Sequence, residues 1–346
     1  MLAAVLVSSL VFVLKLPIFR LQGLTIFGLL NLIYIDLMVV LPLLAISLLL
    51  YSARRQVPNR RLSRPATITA WITLLAIPIG IYATFVEPFR LQIETTDMPF
   101  SHARTGKSPF RIGVLADIQI NHVTDYERQA IARLMALKPD LIVIPGDVFQ
   151  NSPAEFEHEK QALNDLFRKL DAPAGVFMVY GDVDTSPDIV RQIFEGTKVN
   201  VLLNEARRIT IGDRSILLGG VELKFASDAS QRLVRNMEDS AGDADIRILL
   251  THRPDVALGL KEHSRIDLVI AGHTHGGQVV VPLFGPPMTL SKIPRHMAAG
   301  GLHRINENLI YISRGVGCER AQAPRIRFLC PPEISILTVG SETKNR

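Results

Sequence analysis

Five short apolar runs in this 346-residue chain each end on a polar motif, and that repeat constrains the fold more than any other feature. Residues 111–116 lead to Asp117, 141–145 to Gly146-Asp147, 175–180 to Gly181-Asp182, 246–250 to His252, and 268–271 to His273. Runs of this length, rich in β-branched residues, are predicted as strands. Segments 126–137 and 155–170 repeat their apolar residues at helical spacing and are predicted as covering helices. Side chains at the C-terminal ends of neighbouring strands in an open α/β sheet converge on one crevice. Runs at 209–211, 215–218, 309–313 and 334–339 have little helix between them and are predicted to form a second sheet.

The front of the chain follows different rules. Mean hydropathy is +0.24, with the apolar excess ahead of residue 87. Segments 24–51 and 66–86 are long enough to cross ~30 Å of hydrocarbon, and 1–14 is a shorter third candidate, ended by Lys15. The loop between the two longer segments carries Arg54, Arg55, Arg60, Arg61 and Arg64, against Lys15 and Arg20 in the preceding connection. Such a loop stays in the cytoplasm, which sends the body to the periplasmic or extracellular face of a multi-pass cell-membrane protein. Asp36 is an acid inside a span, where the expectation is a polar contact between helices or to headgroups. A channel or transporter would need more polar residues in the spans than this one.

These boundaries divide the chain into a membrane anchor of two to three helices (1–87), a linker (88–108), a body (109–340) and a tail (341–346). The five loop arginines equal the formal net charge of +5, so the basic balance belongs beside anionic lipid headgroups. No basic run interleaved with aromatics marks the body, and no nucleic-acid partner is expected. Cys318 and Cys330 fit either a disulfide or two buried free thiols.

Asp117, Asp147, Asp182, His252, His273 and His275 form a carboxylate and imidazole set suited to two divalent ions. Glycines frame His273 and His275 in Gly272-His273-Thr274-His275-Gly276-Gly277, letting each ring meet a different ion. Two ions sharing one carboxylate can clamp a phosphate ester, activate water and stabilise the leaving oxygen. The other histidines (His102, His158, His263, His296 and His303) lack motif spacing and are read as solvated or structural.

The order Asp-x-Gln, Gly-Asp, Gly-Asp-Val-Asp, His, Gly-His-x-His resembles the calcineurin-like metallophosphoesterase superfamily over roughly 111–339. Thr251-His252-Arg253-Pro254-Asp255, Ser313-Arg314-Gly315-Val316-Gly317 and Pro331-Pro332-Glu333-Ile334 most resemble its membrane-associated bacterial branch. That branch includes exported phosphoesterases and is related to UDP-diacylglucosamine pyrophosphatases. The resemblance implies a four-layer α/β/β/α sandwich (metallo-dependent phosphatase-like) preceded by transmembrane helices. It also implies a first ion on Asp117, Asp147 and His275, and a second on Asp147, Asp182, His252 and His273, with Asp147 bridging.

The sequence departs from the family pattern at three places. Gln119 stands at a ligand histidine, which favours Mn²⁺ or Mg²⁺ over Fe or Zn²⁺ because a neutral amide oxygen is a harder, weaker donor than imidazole. His122 offers a replacement imidazole, although a solvated loop histidine is the plainer reading. Asp182 replaces an asparagine and adds a negative charge. Val183 stands where a histidine assists the leaving group, and losing general-acid help costs roughly 10² to 10⁴ in rate. Asp184 and Arg314 are the candidate catalytic groups to compensate, beside Asp147. Segment 282–296 is a loop, with a substrate lid carrying Lys292 and Arg295 as its functional alternative.

The expected function is hydrolysis of a phosphate ester or pyrophosphate bond on a phosphorylated substrate at the membrane. Location alone favours a lipid-linked substrate, and a soluble one fits an anchor that simply retains the enzyme. The rival is a degenerate domain that binds metal or a phosphorylated ligand without turnover, as a sensor or partner module.

Overall fold

The computed structural model describes residues 11, 13, 15–16, 23–53, 62–100, 108–240 and 244–340. These fall into two compact units, one of 1–87 with 319–326 and one of 88–318 with 327–346. Most of the membrane candidate 1–14 and of the arginine loop lies outside the described residues.

The first unit holds two helices long and apolar enough to cross a membrane, α1 (Ile26–Ala53) and α2 (Arg64–Phe89). Thr25 and Ser63 cap their starts, each accepting from a backbone N–H three residues on. Both helices contain a π-helical turn, at Asp36–Val40 and Tyr82–Val86. Asp36 takes an ion pair from Lys15 at 2.5 Å. Tyr34 and Thr84 share a hydrogen bond of 2.5 Å between the helices. Segment 319–326 belongs to this unit through Gln322. Its Oε1 accepts from Thr25 N and Oγ1 (2.9 and 2.8 Å), and its backbone oxygen accepts from Asn31 Nδ2 at 3.0 Å.

The second unit is an α/β/β/α sandwich. One sheet has the order β1-β12-β2-β3-β4-β5 and the other β10-β11-β9-β8-β7-β6. The first comprises β1 (Gln92–Met98), β2 (Phe110–Val114), β3 (Leu141–Ile144), β4 (Val176–Met178), β5 (Val199–Val201) and β12 (Glu333–Val339). The second comprises β6 (Glu205–Ile211), β7 (Arg214–Gly220), β8 (Ile246–Leu250), β9 (Leu268–Ala271), β10 (Gly301–Ile305) and β11 (Asn308–Ile312). In each, four successive strands run parallel, β2 to β5 and β7-β8-β9-β11.

These central strands are apolar on both faces because both faces are covered. Ile112, Leu141, Val143, Ile216, Ile248 and Ile270 pack between the sheets. On the outer face of the first sheet, Ile142 and Ile144 meet Ile131, Leu134, Leu163 and Phe167. These come from helices α3 (Asp125–Ala136) and α4 (Pro153–Phe167). A capping box sets the start of α3, where Thr124 and Glu127 satisfy each other's backbone N–H groups. Ser152 caps α4, with Pro153 in its first turn. Helix α6 (Asp228–Asp239) covers the second sheet through Leu233, Val234 and Met237, following the shorter α5 (Pro187–Phe194).

Three sequence expectations change. The five motif-bearing runs are divided three and two between sheets, so the crevice lies where the strand ends of both sheets meet. The run at 334–339 belongs to the first sheet, where β12 lies antiparallel to β2. Within the expected linker 88–108, Gln92–Met98 is strand β1, paired in parallel with β12. Its polar alternation hid it, since its partner strand supplies the order.

Candidate metal centre

Strand ends bring the candidate ligands together, and left-handed backbone turns them inward. Asp117, Gln119, Asp147, His273 and His275 have φ of 47°, 45°, 58°, 73° and 49°. Side chains other than glycine rarely adopt this region, and it recurs where structure is held for function. Close approach of backbone and carboxylate supplies much of the reason. A Cβ at Gly181 would meet Asp147 Oδ1 at 2.2 Å, and one at Gly272 would meet Asp117 Oδ2 at 2.6 Å.

Two overlapping groups have donor atoms close enough to share a cation, Asp182-His252-His273 and Asp117-Asp147-His252. His252 Nε2 lies 3.3 Å from Asp182 Oδ2 and 3.5 Å from Asp147 Oδ2. His273 Nδ1 lies 2.8 Å from Asp182 Oδ2 and 3.3 Å from His252 Nε2. The far nitrogen of each ring meets a backbone carbonyl, His252 Nδ1 with Pro145 O at 2.7 Å and His273 Nε2 with Leu290 O at 3.1 Å. With those nitrogens carrying the protons, His252 Nε2 and His273 Nδ1 are left with lone pairs for an ion.

Asp117 accepts the His273 backbone N–H on both oxygens, at 2.9 and 3.0 Å. Gln119 directs its Nε2 to Asp147 Oδ2 at 3.1 Å. His275 is buried, and neither ring nitrogen has a hydrogen-bond partner. Leaving two buried polar atoms unpaired is costly without a ligand to meet them. That orphaned imidazole and the clustered carboxylates fit a divalent cation.

The electrostatics agree. Burial pushes the Asp117 carboxyl up to about 7; the Asp147 charge adds to this, while His252 opposes it. Burial opposes a charge on His252, yet Asp147, Asp182 and Asp117 together push it up to about 10. Without an ion His252 therefore keeps a second proton near neutral pH, and a dication drawn by the same three carboxylates would displace it from Nε2. Burial, with the nearby Arg327 charge adding to it, keeps His275 well below the ordinary imidazole value, so the ring is neutral and able to ligate.

The remaining candidates are engaged otherwise. Asp184 accepts backbone N–H groups of Asp147, Gly181 and Val148 at 2.7, 2.9 and 3.1 Å. It clamps the two metal-motif turns together. Arg314 pairs with Glu94 and, at 2.7 Å, with Glu333. His122 meets Glu159 Oε1 at 3.1 Å on the surface. Both cysteines are free and buried, and Cys330 Sγ lies 3.4 Å from the His275 carbonyl. Lys292 donates its backbone N–H to Asp255 at 2.8 Å.

Two arginines escaped the sequence reading. Arg253 grips Asp182 through Nη2 and through Nε at 3.3 Å. It balances the charge that Asp182 adds in place of an amide. Arg327, fully buried, donates to carbonyls of Arg314, Gly315, Gly317 and Cys330 at 2.7, 3.2, 2.6 and 3.1 Å. Arg253 follows His252 directly, which was a usable signal; Arg327 had none.

The family model for calcineurin-like phosphoesterases matches residues 110–277. An uncharacterised metallophosphoesterase of Bacillus subtilis, YkuE, is 30% identical over 280 residues, covering 75% of this chain and 89% of the relative. The chain belongs to the calcineurin-like phosphoesterase family. It is thus a metallophosphoesterase, a hydrolase of the family that uses divalent metals. Phosphodiesterase YaeI of Escherichia coli is 28% identical over 286 residues, covering 80% of this chain and 98% of the relative. UDP-2,3-diacylglucosamine pyrophosphatase LpxG of Chlamydia muridarum is 24% identical over 320 residues, covering 76% and 94%.

Proposed function

We propose that this chain is a membrane-anchored, two-metal phosphoesterase that cleaves phosphodiester or pyrophosphate bonds whose leaving group departs without a donated proton. The observation that carries this reading is the convergence of Asp117, Asp147, Asp182, His252 and His273, together with the buried, unpartnered ring of His275. Asp147 would serve both ions, Gln119 would complete the side of Asp117 and His275, and Asp182, His252 and His273 would hold the other. Two divalent ions, Mn²⁺ or Mg²⁺, would lend Lewis acidity to the phosphate oxygens and to the attacking water.

The chain's own residues fix the geometry and limit the leaving group. Pro145 and Leu290 carbonyls set the two imidazoles, and Asp184 ties the Asp147 turn to the Gly181 turn. Val183 has no proton to give. Asp184 is enclosed by backbone donors and Arg314 by two carboxylates, so neither takes over that role. A phosphate or phenolate leaving group needs the proton least, and a simple alkyl monoester needs it most. The YaeI and LpxG relatives, named as a phosphodiesterase and a pyrophosphatase, agree with this choice.

The two spans α1 and α2 form a pair whose intervening arginine loop is cytoplasmic, and the body lies on the periplasmic or extracellular side. A lipid-linked phosphate substrate suits that position. The full-length protein in detergent, loaded with Mn²⁺, should hydrolyse an activated diester and a nucleotide-sugar pyrophosphate but leave an alkyl monoester nearly untouched. Asp147→Ala should lower both activities by about three powers of ten, the scale of several kcal/mol of metal stabilisation. Two bound ions with no turnover on any substrate would defeat the catalytic reading and leave a binding module.

A further inference from the structure

Beyond the metal cluster, the chain leaves its histidine turn and makes a hairpin with an unusual tip. Val281 and Gly285 exchange backbone hydrogen bonds of 3.0 and 2.8 Å, closing a tight turn over Pro282, Leu283 and Phe284. Leu283 is fully exposed and Phe284 is 60% exposed. Leu283 has a φ of 67°, Leu290 of 52° and Leu329 of 53°. Among the described residues these are the large apolar side chains found in the left-handed region, and all three are exposed. A turn with no task but reversing direction in water is best made with glycine or asparagine there. Exposed leucines held in that conformation point to an apolar ligand surface.

Other exposed large apolar residues of the body, Ile93, Leu203 and Leu258, are scattered singly. The hairpin differs by being clustered and by its charge. From Gln278 to Ile305 the sequence has no acidic residue, while it holds Lys292, Arg295 and Arg304. The Arg295 guanidinium lies 4.8 Å from the centre of the Phe284 ring. An apolar tip with cations behind it is the chemistry of an anionic bilayer interface, where apolar side chains enter the acyl boundary and cations meet lipid phosphates. The same segment supplies the Leu290 carbonyl to His273 Nε2. Residues 278–280 also pair with Phe328, next to Leu329.

We propose that the 281–285 hairpin is a membrane-interfacial loop at the rim of the metal cluster, inserting Leu283 and Phe284 into an anionic leaflet while Lys292 and Arg295 engage lipid phosphates. Its insertion stands on the hairpin alone. Its consequence, delivery of a lipid phosphoester to the cluster, rests on the phosphoesterase reading.

The test uses the full chain in nanodiscs of mixed phosphatidylglycerol and phosphatidylcholine, with Leu283→Cys carrying an environment-sensitive fluorophore. Label on the parent protein, whose two cysteines are buried, gives the background, and Leu203→Cys is the solvent-exposed control. The tip label should shift to the blue and be quenched by doxyl-labelled lipid about twofold or more, while the control stays water-like. A water-like tip overturns the proposal. A blue shift without lipid quenching also overturns it, because a protein surface then covers the tip.

A double variant, Leu283→Asp with Phe284→Asp, separates insertion from delivery. It should lose about tenfold in turnover of a bilayer-embedded phosphodiester and keep its rate on a soluble activated diester. Equal loss on both substrates overturns delivery. Absence of turnover in the parent protein would count against the phosphoesterase reading, while the fluorescence result still decides insertion.

Discussion

The two sides of the metal cluster are built differently. On the side of His252, His273 and Asp182, both imidazoles have a fixed outer partner, in the Pro145 and Leu290 carbonyls. On the side of Asp117, Gln119 and His275, the imidazole is orphaned at both nitrogens. A ligand oriented before the ion arrives loses little freedom on binding, and removing such outer partners typically costs 10- to 100-fold in affinity. In the proposed centre the first side would be a ready site, and the second would be completed by its ion. This difference implies two unequal affinities.

The strongest way to break the comparison is to remove one ligand from each side. His273→Ala should abolish the tighter ion and turnover together, a loss of about 10³-fold. His275→Ala should keep one tight ion per chain and still lose most turnover, with metal content by mass spectrometry separating the variants. Equal metal loss in both would mean the sides are equivalent. Next in size, Val183→His should raise alkyl monoester hydrolysis by about tenfold or more and scarcely change an activated phenolate ester. An equal gain on both esters would mean that the leaving group is not what this position controls.

Gln119→His should tighten the weaker site about tenfold and let Zn²⁺ compete with Mn²⁺, because imidazole is the softer and stronger donor. Metal titration by calorimetry reads this directly. The smallest effect belongs to Arg253→Gln. The pair it breaks is partly exposed, with side-chain exposures of 41% and 27%, so about two- to fivefold tighter binding at the ready site is expected. Unchanged affinity would mean that Arg253 does not balance the Asp182 charge.

Much of the site was legible because its residues follow strands, and strand ends are local facts of sequence. The apolar runs before Asp117, Asp147, Asp182, His252 and His273 are strands, or lead out of strands, as read. What stayed hidden depends on partners far away in the chain. β1 is polar on alternate residues and takes its identity from β12, some 240 residues later. The division of motifs between two sheets is set by which runs pair, and similar β-branched runs give no local cue to that choice. Asp184 looked like a proton donor beside Val183, yet its carboxylate serves three N–H groups, two of them on the distant Gly-Asp turn. Arg314 was the other candidate to compensate for Val183, but Glu94 and Glu333 pair with it.

The interfacial hairpin adds a mechanical link to this asymmetry. Leu290 carries both an exposed apolar side chain and the carbonyl that orients His273. The ready side of the cluster is thus attached to the segment proposed to enter the leaflet.

The central claim is a two-ion centre with one prepared and one ion-completed site. Titrating the metal-free, full-length protein with Mn²⁺ while following bound metal and diester hydrolysis together tests it most directly. The account predicts two ions per chain binding in separable steps, with turnover rising only with the second. Turnover complete after one equivalent, or a single bound ion at saturation, would contradict it.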